Sequence, residues 1–133
     1  MTQGERSEVP IGPARQELGN VEALFRGFAD PTRLRILSAL VPGRLCVSDL
    51  VEVLHLPQPL VSRHLAYLRR VGLVVAERET RFAHYRLAEP RGGVHANLLG
   101  CVRSCFVGIE ALDAEREAAA RRAGGVMPTA GQR

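Results

Sequence analysis

The 133-residue chain contains no lysine and no tryptophan, only 5% of its residues are aromatic, and cysteine occurs three times. Three cysteines, an odd number, argue against a structural disulfide framework and for thiols used in binding or redox chemistry in a reducing compartment. No stretch approaches the roughly 20 apolar residues that a bilayer-spanning helix needs. Met1 to Pro10 is polar and lacks the apolar run of a secretory signal, so the expectation is a cytoplasmic protein without a membrane partner. There is also no Cys-x-x-Cys, no Gly-rich phosphate loop and no clear acid–base pair. An enzyme such as a thiol-dependent reductase is therefore only a remote alternative, and no constitutive cofactor is expected.

What is present points to one domain with an anionic partner. Hydrophobic residues make up 46% of the chain, enough for a modest core. The net charge is +4, and all 18 basic residues are arginine. Guanidinium binds phosphate bidentately, but a GC-rich genome also produces arginine in place of lysine, so distribution is more informative than type. From Arg63 to Arg91 there are seven arginines against three acids, Glu77, Glu79 and Glu89, which concentrates positive charge in one segment.

Residues 1–19 mix Gly, Pro and charge without periodicity and read as a flexible arm. A folded domain is expected over 20–122, with a flexible tail at 123–133. Val21, Leu24, Phe25 and Phe28 follow the i, i+3, i+4, i+7 spacing of a helix stripe. Asp30-Pro31 supplies an N-cap and a first-turn proline for a second helix through Leu34, Ile36, Leu37 and Leu40, ended by Pro42-Gly43. A third helix starts near Cys46 or Val47. After Pro57-Gln58-Pro59, a fourth carries Val61, Leu65 and Leu68 inward and stops at Gly72. Two short helices joined by a tight break make a helix-turn-helix. Leu73 to Ala76 and Phe82 to Leu87 flank a charged tip and form a hairpin. The fold class expected is mainly α with a β-hairpin wing.

From Val94 to about Arg122 the pattern predicts one long helix. Its stripe of Leu98, Val102, Cys105, Ile109 and Leu112 needs a partner, which predicts a homodimer formed through the first and last helices. On that helix Cys101 and Cys105 lie at i and i+4, with Cβ atoms roughly 5–6 Å apart, so both sulfurs can reach one ion or bridging atom. Core packing is the competing explanation, since free cysteine also behaves as a small hydrophobe. Cys46 is a possible third ligand. Three thiolates suit soft ions: trivalent arsenic or antimony is satisfied by three sulfurs in a pyramid, whereas zinc wants a fourth ligand. Each thiol also has a local reason for a lowered pKa, Arg44 and a helix start for Cys46 and Arg103 for the pair.

The run Phe28-Ala29-Asp30-Pro31-Thr32-Arg33-Leu34-Arg35-Ile36-Leu37, then Leu45-Cys46-Val47-Ser48-Asp49-Leu50, Val61-Ser62-Arg63-His64-Leu65, Gly72-Leu73-Val74 and Tyr85-Arg86-Leu87 resembles the ArsR/SmtB family of winged-helix transcriptional repressors. The resemblance spans residues 20 to about 88. It implies a homodimer that binds double-stranded operator DNA and leaves it when an inducer binds. The fourth helix would enter the major groove with Gln58, Ser62 and Arg63 toward DNA, and His64 structural or phosphate-facing. Arg78 and Arg81 on the wing would touch phosphate or minor groove. Two departures leave the cap of the recognition helix and the wing turn open: Pro57 stands where relatives often have serine, and the wing tip has no glycine. Arsenite sensors of this family carry Cys-x-Cys at the third helix, here Cys46-Val47-Ser48. The Asp-x-His and His-x-x-Glu set of zinc sensors is absent from the last helix, where His95 stands alone. The pattern resembles the branch with arsenite ligands on the C-terminal helix, which implies As(III) or Sb(III) as inducer and Cys46, Cys101 and Cys105 as ligands. A thiol-redox or persulfide sensor of the same fold is the alternative; its relatives place one cysteine in the second helix, which has none here.

Overall fold

Local signals account for most element ends in the computed structural model, which describes residues 12–123. Helix α1 (Pro13–Phe28) starts with proline in its first turn after Gly12, where the missing N–H costs no hydrogen bond. Helix α2 (Pro31–Ala39) is capped by Asp30, whose carboxylate accepts from the Arg33 N–H at 3.0 Å. Strand β1 (Leu45–Cys46) leads directly into α3 (Val47–Leu54), and Cys46 and Asp49 form a reciprocal cap at its start. Helix α4 (Gln58–Arg70) ends in a Schellman motif: Leu73 N–H donates to Leu68 C=O at 2.9 Å and Gly72 N–H to Arg69 C=O at 3.1 Å. Gly72 supplies the left-handed turn this needs, at φ +89°.

Strands β2 (Val74–Glu79) and β3 (Phe82–Leu87) pair antiparallel from Val74↔Leu87 to Glu79↔Phe82, and β1 adds to the far edge of β3 in the order β1-β3-β2. The hairpin turn is thus the two residues Thr80-Arg81. With no glycine available, Thr80 takes the left-handed conformation, at φ +57°. The two-residue strand β1 was not foreseen, because it is too short to show a period. Ile36, Leu37, Leu45, Leu50, Leu54, Val61, Leu65, Leu68 and Leu73 form one buried core beneath the helix-turn-helix and the wing. Gly27 lets α1 approach that core closely: a Cβ there would lie 2.9 Å from Leu73 Cδ1. This is a winged helix-turn-helix, mainly α with a small hairpin. No described helix is long and apolar enough to cross a membrane.

Two expectations are corrected. Helix α1 begins at Pro13, inside the segment expected as an arm to residue 19. Residues 12–20 are all exposed, so no apolar stripe marks the helix there; local hydrogen bonds and the proline start suffice. The rest of that arm, and the tail beyond Ala123, lie outside the described residues. The single helix from Val94 to Arg122 is instead α5 (Gly93–Ser104), a turn, and α6 (Glu110–Arg122). Gly108 adopts φ +95°, and its N–H is held by the Asp113 carboxylate at 3.2 and 3.3 Å. Helix α6 then folds back onto α2 and α3. The expected stripe is split accordingly: Leu112 is buried in its own chain at 8% exposure, whereas Ile109 is exposed at 47%.

Candidate nucleic-acid interface and thiol pair

The amphipathic pattern of α4 buries Val61, Leu65 and Leu68 and leaves Gln58 and Arg63 exposed, with Ser62 half-buried beside them. The N-cap position is Pro57, with no side-chain cap; Pro59 lies within the first turn, where an N–H has no intrahelical acceptor. The cap is therefore made by proline geometry. On the wing, Arg78 and Arg81 are exposed, and Arg78 reaches only the Arg81 carbonyl, at 3.5 Å. The wing acids are engaged at its base: Glu77 with Arg86 at 2.7 Å, and Glu79 with Arg44 at 2.7 Å. The hydrogen bond from Arg86 holds the Glu77 carboxyl below the usual carboxylate range. Arg63, Arg78 and Arg81 are exposed and have no carboxylate partner among the described residues, the charge pattern a phosphate backbone attracts.

His64 is turned inward. Its Nδ1 lies 3.2 Å from Arg33 Nη1 and its Nε2 3.8 Å from Asp30 Oδ2, so of its two expected roles the structural one is what the geometry supports. Burial pushes its pKa down from 6.5; Asp30 opposes this, and Arg33 and Arg63 add to it. Arg33 is a hub that pattern reading missed. It donates to the carbonyls of Arg26 at 2.7 Å and Gly27 at 3.3 Å, satisfying the end of α1. It also stacks 4.5 Å from the centre of the Tyr67 ring, whose other stacking partner is Arg70 at 4.8 Å. The Asp30-Pro31-Thr32-Arg33 run is the available signal, but neither its cap nor its part in the family resemblance points to the contacts of Arg33.

Cys101 lies on the last turns of α5 and Cys105 is its C-cap, the Cys105 N–H donating to the Cys101 carbonyl at 2.8 Å. The thiols neighbour one another. Burial pushes the Cys101 thiol up, and the hydrogen bond and charge of Cys105 add to the rise. This corrects the expectation that Arg103 lowers it: Arg103 is exposed to solvent, which screens its charge. Cys46 stands apart, its Sγ donating to Asp49 Oδ2 at 3.2 Å. Arg44, expected to act on Cys46, is paired with Glu77 and Glu79. Among the described residues no group of three His, Cys, Asp or Glu gathers as a metal site, so one chain brings together the pair and not the triad. Also missed was the fastening of α6. Arg35 donates to Glu115 and to the Leu54 carbonyl, both at 2.6 Å; Arg116 to Ser38 at 3.0 Å; and Arg122 pairs with Glu52 at 2.6 Å and Asp49 at 3.6 Å. These contacts join residues up to 80 apart in sequence, beyond the reach of any local period.

Residues 30–75, which span α2, α3, α4 and the turn into β2, match the model of the bacterial regulatory proteins of the arsR family. A regulator from Methanocaldococcus jannaschii, MJ1325, is 39% identical over 69 residues, covering 51% of this chain and 78% of that protein. The chain belongs to the ArsR family. The transcriptional repressor SmtB of Mycobacterium tuberculosis is 44% identical over 80 residues, 60% of this chain; the match spans 59% of the length of that relative. The arsenical resistance operon repressor of Escherichia coli is 47% identical over 66 residues, covering 49% of this chain and 56% of that protein. Among solved structures, the transcriptional repressor BigR from Xylella fastidiosa superimposes with a TM-score of 0.61 at 28% identity, covering 73% of this chain and 93% of that one. These relatives are named as regulators and repressors, none as an enzyme.

Proposed function

We propose that this ArsR-family chain is a metalloid-responsive repressor. It binds operator DNA as a homodimer and is released when As(III) or Sb(III) joins Cys101 and Cys105. The DNA reading is supported by the exposed Gln58 and Arg63 and the half-buried Ser62 on α4, and by Arg78 and Arg81 on the wing, which have no carboxylate partner among the described residues. The dimer reading is supported by Leu18 and Phe25, seven positions apart on one face of α1 and both more than half exposed.

One observation carries the choice of inducer: two adjacent thiols, of which Cys101 has its pKa pushed up by burial and by its neighbour Cys105. A divalent ion must displace the thiol protons, so its affinity falls as pH falls. Arsenous acid is neutral and condenses with thiols. Each S–As bond that forms replaces an As–O bond, and the thiol proton leaves with hydroxide as water, with no change of oxidation state. Two neighbouring thiols are suited to that reaction. A third donor would be hydroxide, a small thiol, or Cys46 of a second copy.

Release follows from where the pair sits. Cys105 ends α5, immediately before the turn into α6, and α6 is tied through Arg35, Arg116 and Arg122 to α2 and α3. Drawing two sulfurs onto one atom reshapes the end of α5, and the fastening of α6 carries the change to the helix-turn-helix. Going from mostly bound to mostly free takes about 5.5 kcal/mol of differential binding, within reach of thiolate coordination.

The test is operator release by the reduced protein titrated with arsenite, antimonite, zinc, cadmium and a polysulfide. Arsenite should release DNA from the parent but not from Cys101→Ser or Cys105→Ser, both of which should still bind DNA. Its midpoint should be nearly unchanged between about pH 6 and 8, while any cadmium response weakens in acid. Release of the double variant by arsenite would overturn the thiol-pair reading. Release by polysulfide alone, with a sulfur-bridged pair in the mass spectrum, would replace it with the persulfide one.

A further inference from the structure

A cavity of about 510 Å³ opens among Asn20, Ala23 and Leu24 of α1, Arg70 and Val71 at the end of α4, and Arg91 before α5. It involves neither the thiol pair nor the exposed face of α4. Two guanidiniums line it. Among the described residues neither has a carboxylate partner, and Arg70 stacks on Tyr67 instead. Like charges lining one cavity repel, and a bound anion relieves that repulsion.

Arg91 is exposed, and its backbone is anchored by a hydrogen bond to His95. Its guanidinium lies against the bare face of Gly72, where a Cβ would stand 2.9 Å from Nη2 and 3.1 Å from Nη1. The Arg91 N–H donates to His95 Nδ1 at 3.1 Å, so Nδ1 is an acceptor and Nε2 carries the hydrogen it donates to the Gly72 carbonyl, 2.8 Å away. His95 is buried at 5% exposure and pins the two ends of this loop pair together. The lone histidine of the last helices therefore sits behind the cavity and ties together two residues that line it, Gly72 and Arg91.

We propose that this cavity binds a small organic oxyanion, a phosphate or carboxylate held by Arg70 and Arg91. The Asn20 amide lines the same space, and Ala23, Leu24 and Val71 offer apolar contact. The volume lies in the range of small-molecule sites and exceeds what an inorganic ion fills. Planar guanidiniums without a carboxylate partner are the side chains best suited to bidentate oxyanion binding.

Calorimetric titration of the full-length protein with inorganic phosphate, pyrophosphate and succinate tests this and separates the phosphate source from the carboxylate one. Saturable binding of at least one probe is expected, with amide resonances of Asn20, Gly72 and Arg91 moving in the unmodified protein. Arg70→Gln and Arg91→Gln should each weaken binding about tenfold or more. Arg69→Gln removes an exposed charge one position away that does not line the cavity, and should leave binding unchanged. No saturable binding of any probe would overturn the proposal, as would equal weakening by all three variants, which marks diffuse attraction to a basic surface. Because the resonance shifts are read on the unmodified chain, a variant that misfolds leaves the test intact.

Discussion

The wing and α6 use the same residue type in opposite ways. At the wing tip Arg78 and Arg81 point into solvent, because the neighbouring acids Glu77 and Glu79 are drawn to Arg86 and Arg44 at its base. On α6, Arg116 and Arg122 turn back onto α2 and α3, and Glu115 receives Arg35 from α2. A basic residue is thus a candidate DNA contact only where the surroundings leave its charge uncompensated. Sequence composition counts both groups alike. The wing is built to present charge and α6 to be held by it.

The sharpest test of this contrast contrasts two neighbours on the expected stripe. Leu112→Asp places a carboxylate in the chain's own core and should cost about 4 kcal/mol or more, seen as unfolding at low denaturant. Ile109→Asp should fold as well as the parent, since that side chain is already 47% exposed. Equal losses at both positions would restore a straight helix with a continuous seam.

Loosening α6 comes next. Arg35→Ala leaves Glu115 and the Leu54 carbonyl without their partner in a part-buried setting and should cost about 2–3 kcal/mol in chemical denaturation. Amide exchange should accelerate in α6 before α4. Exchange unchanged in α6 would show that its apolar contacts alone hold it.

Arg63→Ala should then weaken operator binding by about 1–3 kcal/mol, roughly ten- to a hundredfold, with no change in unfolding. Arg122→Ala removes an equal charge from α6 and should leave affinity in the same salt nearly unaltered. Similar losses for both would mean that net charge, and not its placement, drives binding.

The smallest effect is on acidification. The folded-state pKa of His64 is lowered below 6.5, mainly by burial, so the unfolded chain binds the proton more readily. The stability this contributes is fully present above pH 6.5 and is lost as pH falls toward the folded value. Thermal unfolding should show a modest decline through that window that is absent in His64→Gln. A parent curve flat through it would show that His64 is not protected from protonation.

The helix-turn-helix and the wing were legible because each of their signals is local. The Asp30-Pro31 cap, the inward stripe of Val61, Leu65 and Leu68, and the Gly72 stop act within one or two turns, where spacing along the chain equals spacing in space. Cys101 and Cys105 were legible as a pair for the same reason. The break between α5 and α6 was not, because an apolar stripe of alternating three- and four-residue steps reads the same whether the chain runs straight or turns at Gly108. Only packing against α2 and α3 shows which stripe residues are covered, so tertiary structure decided that Leu112 is core and Ile109 surface. It also decided which arginines are paired with carboxylates, separated Cys46 from the pair, and raised the Cys101 thiol. Burial and the approach of distant charges set these properties, and neither is encoded in the spacing of residues along a sequence.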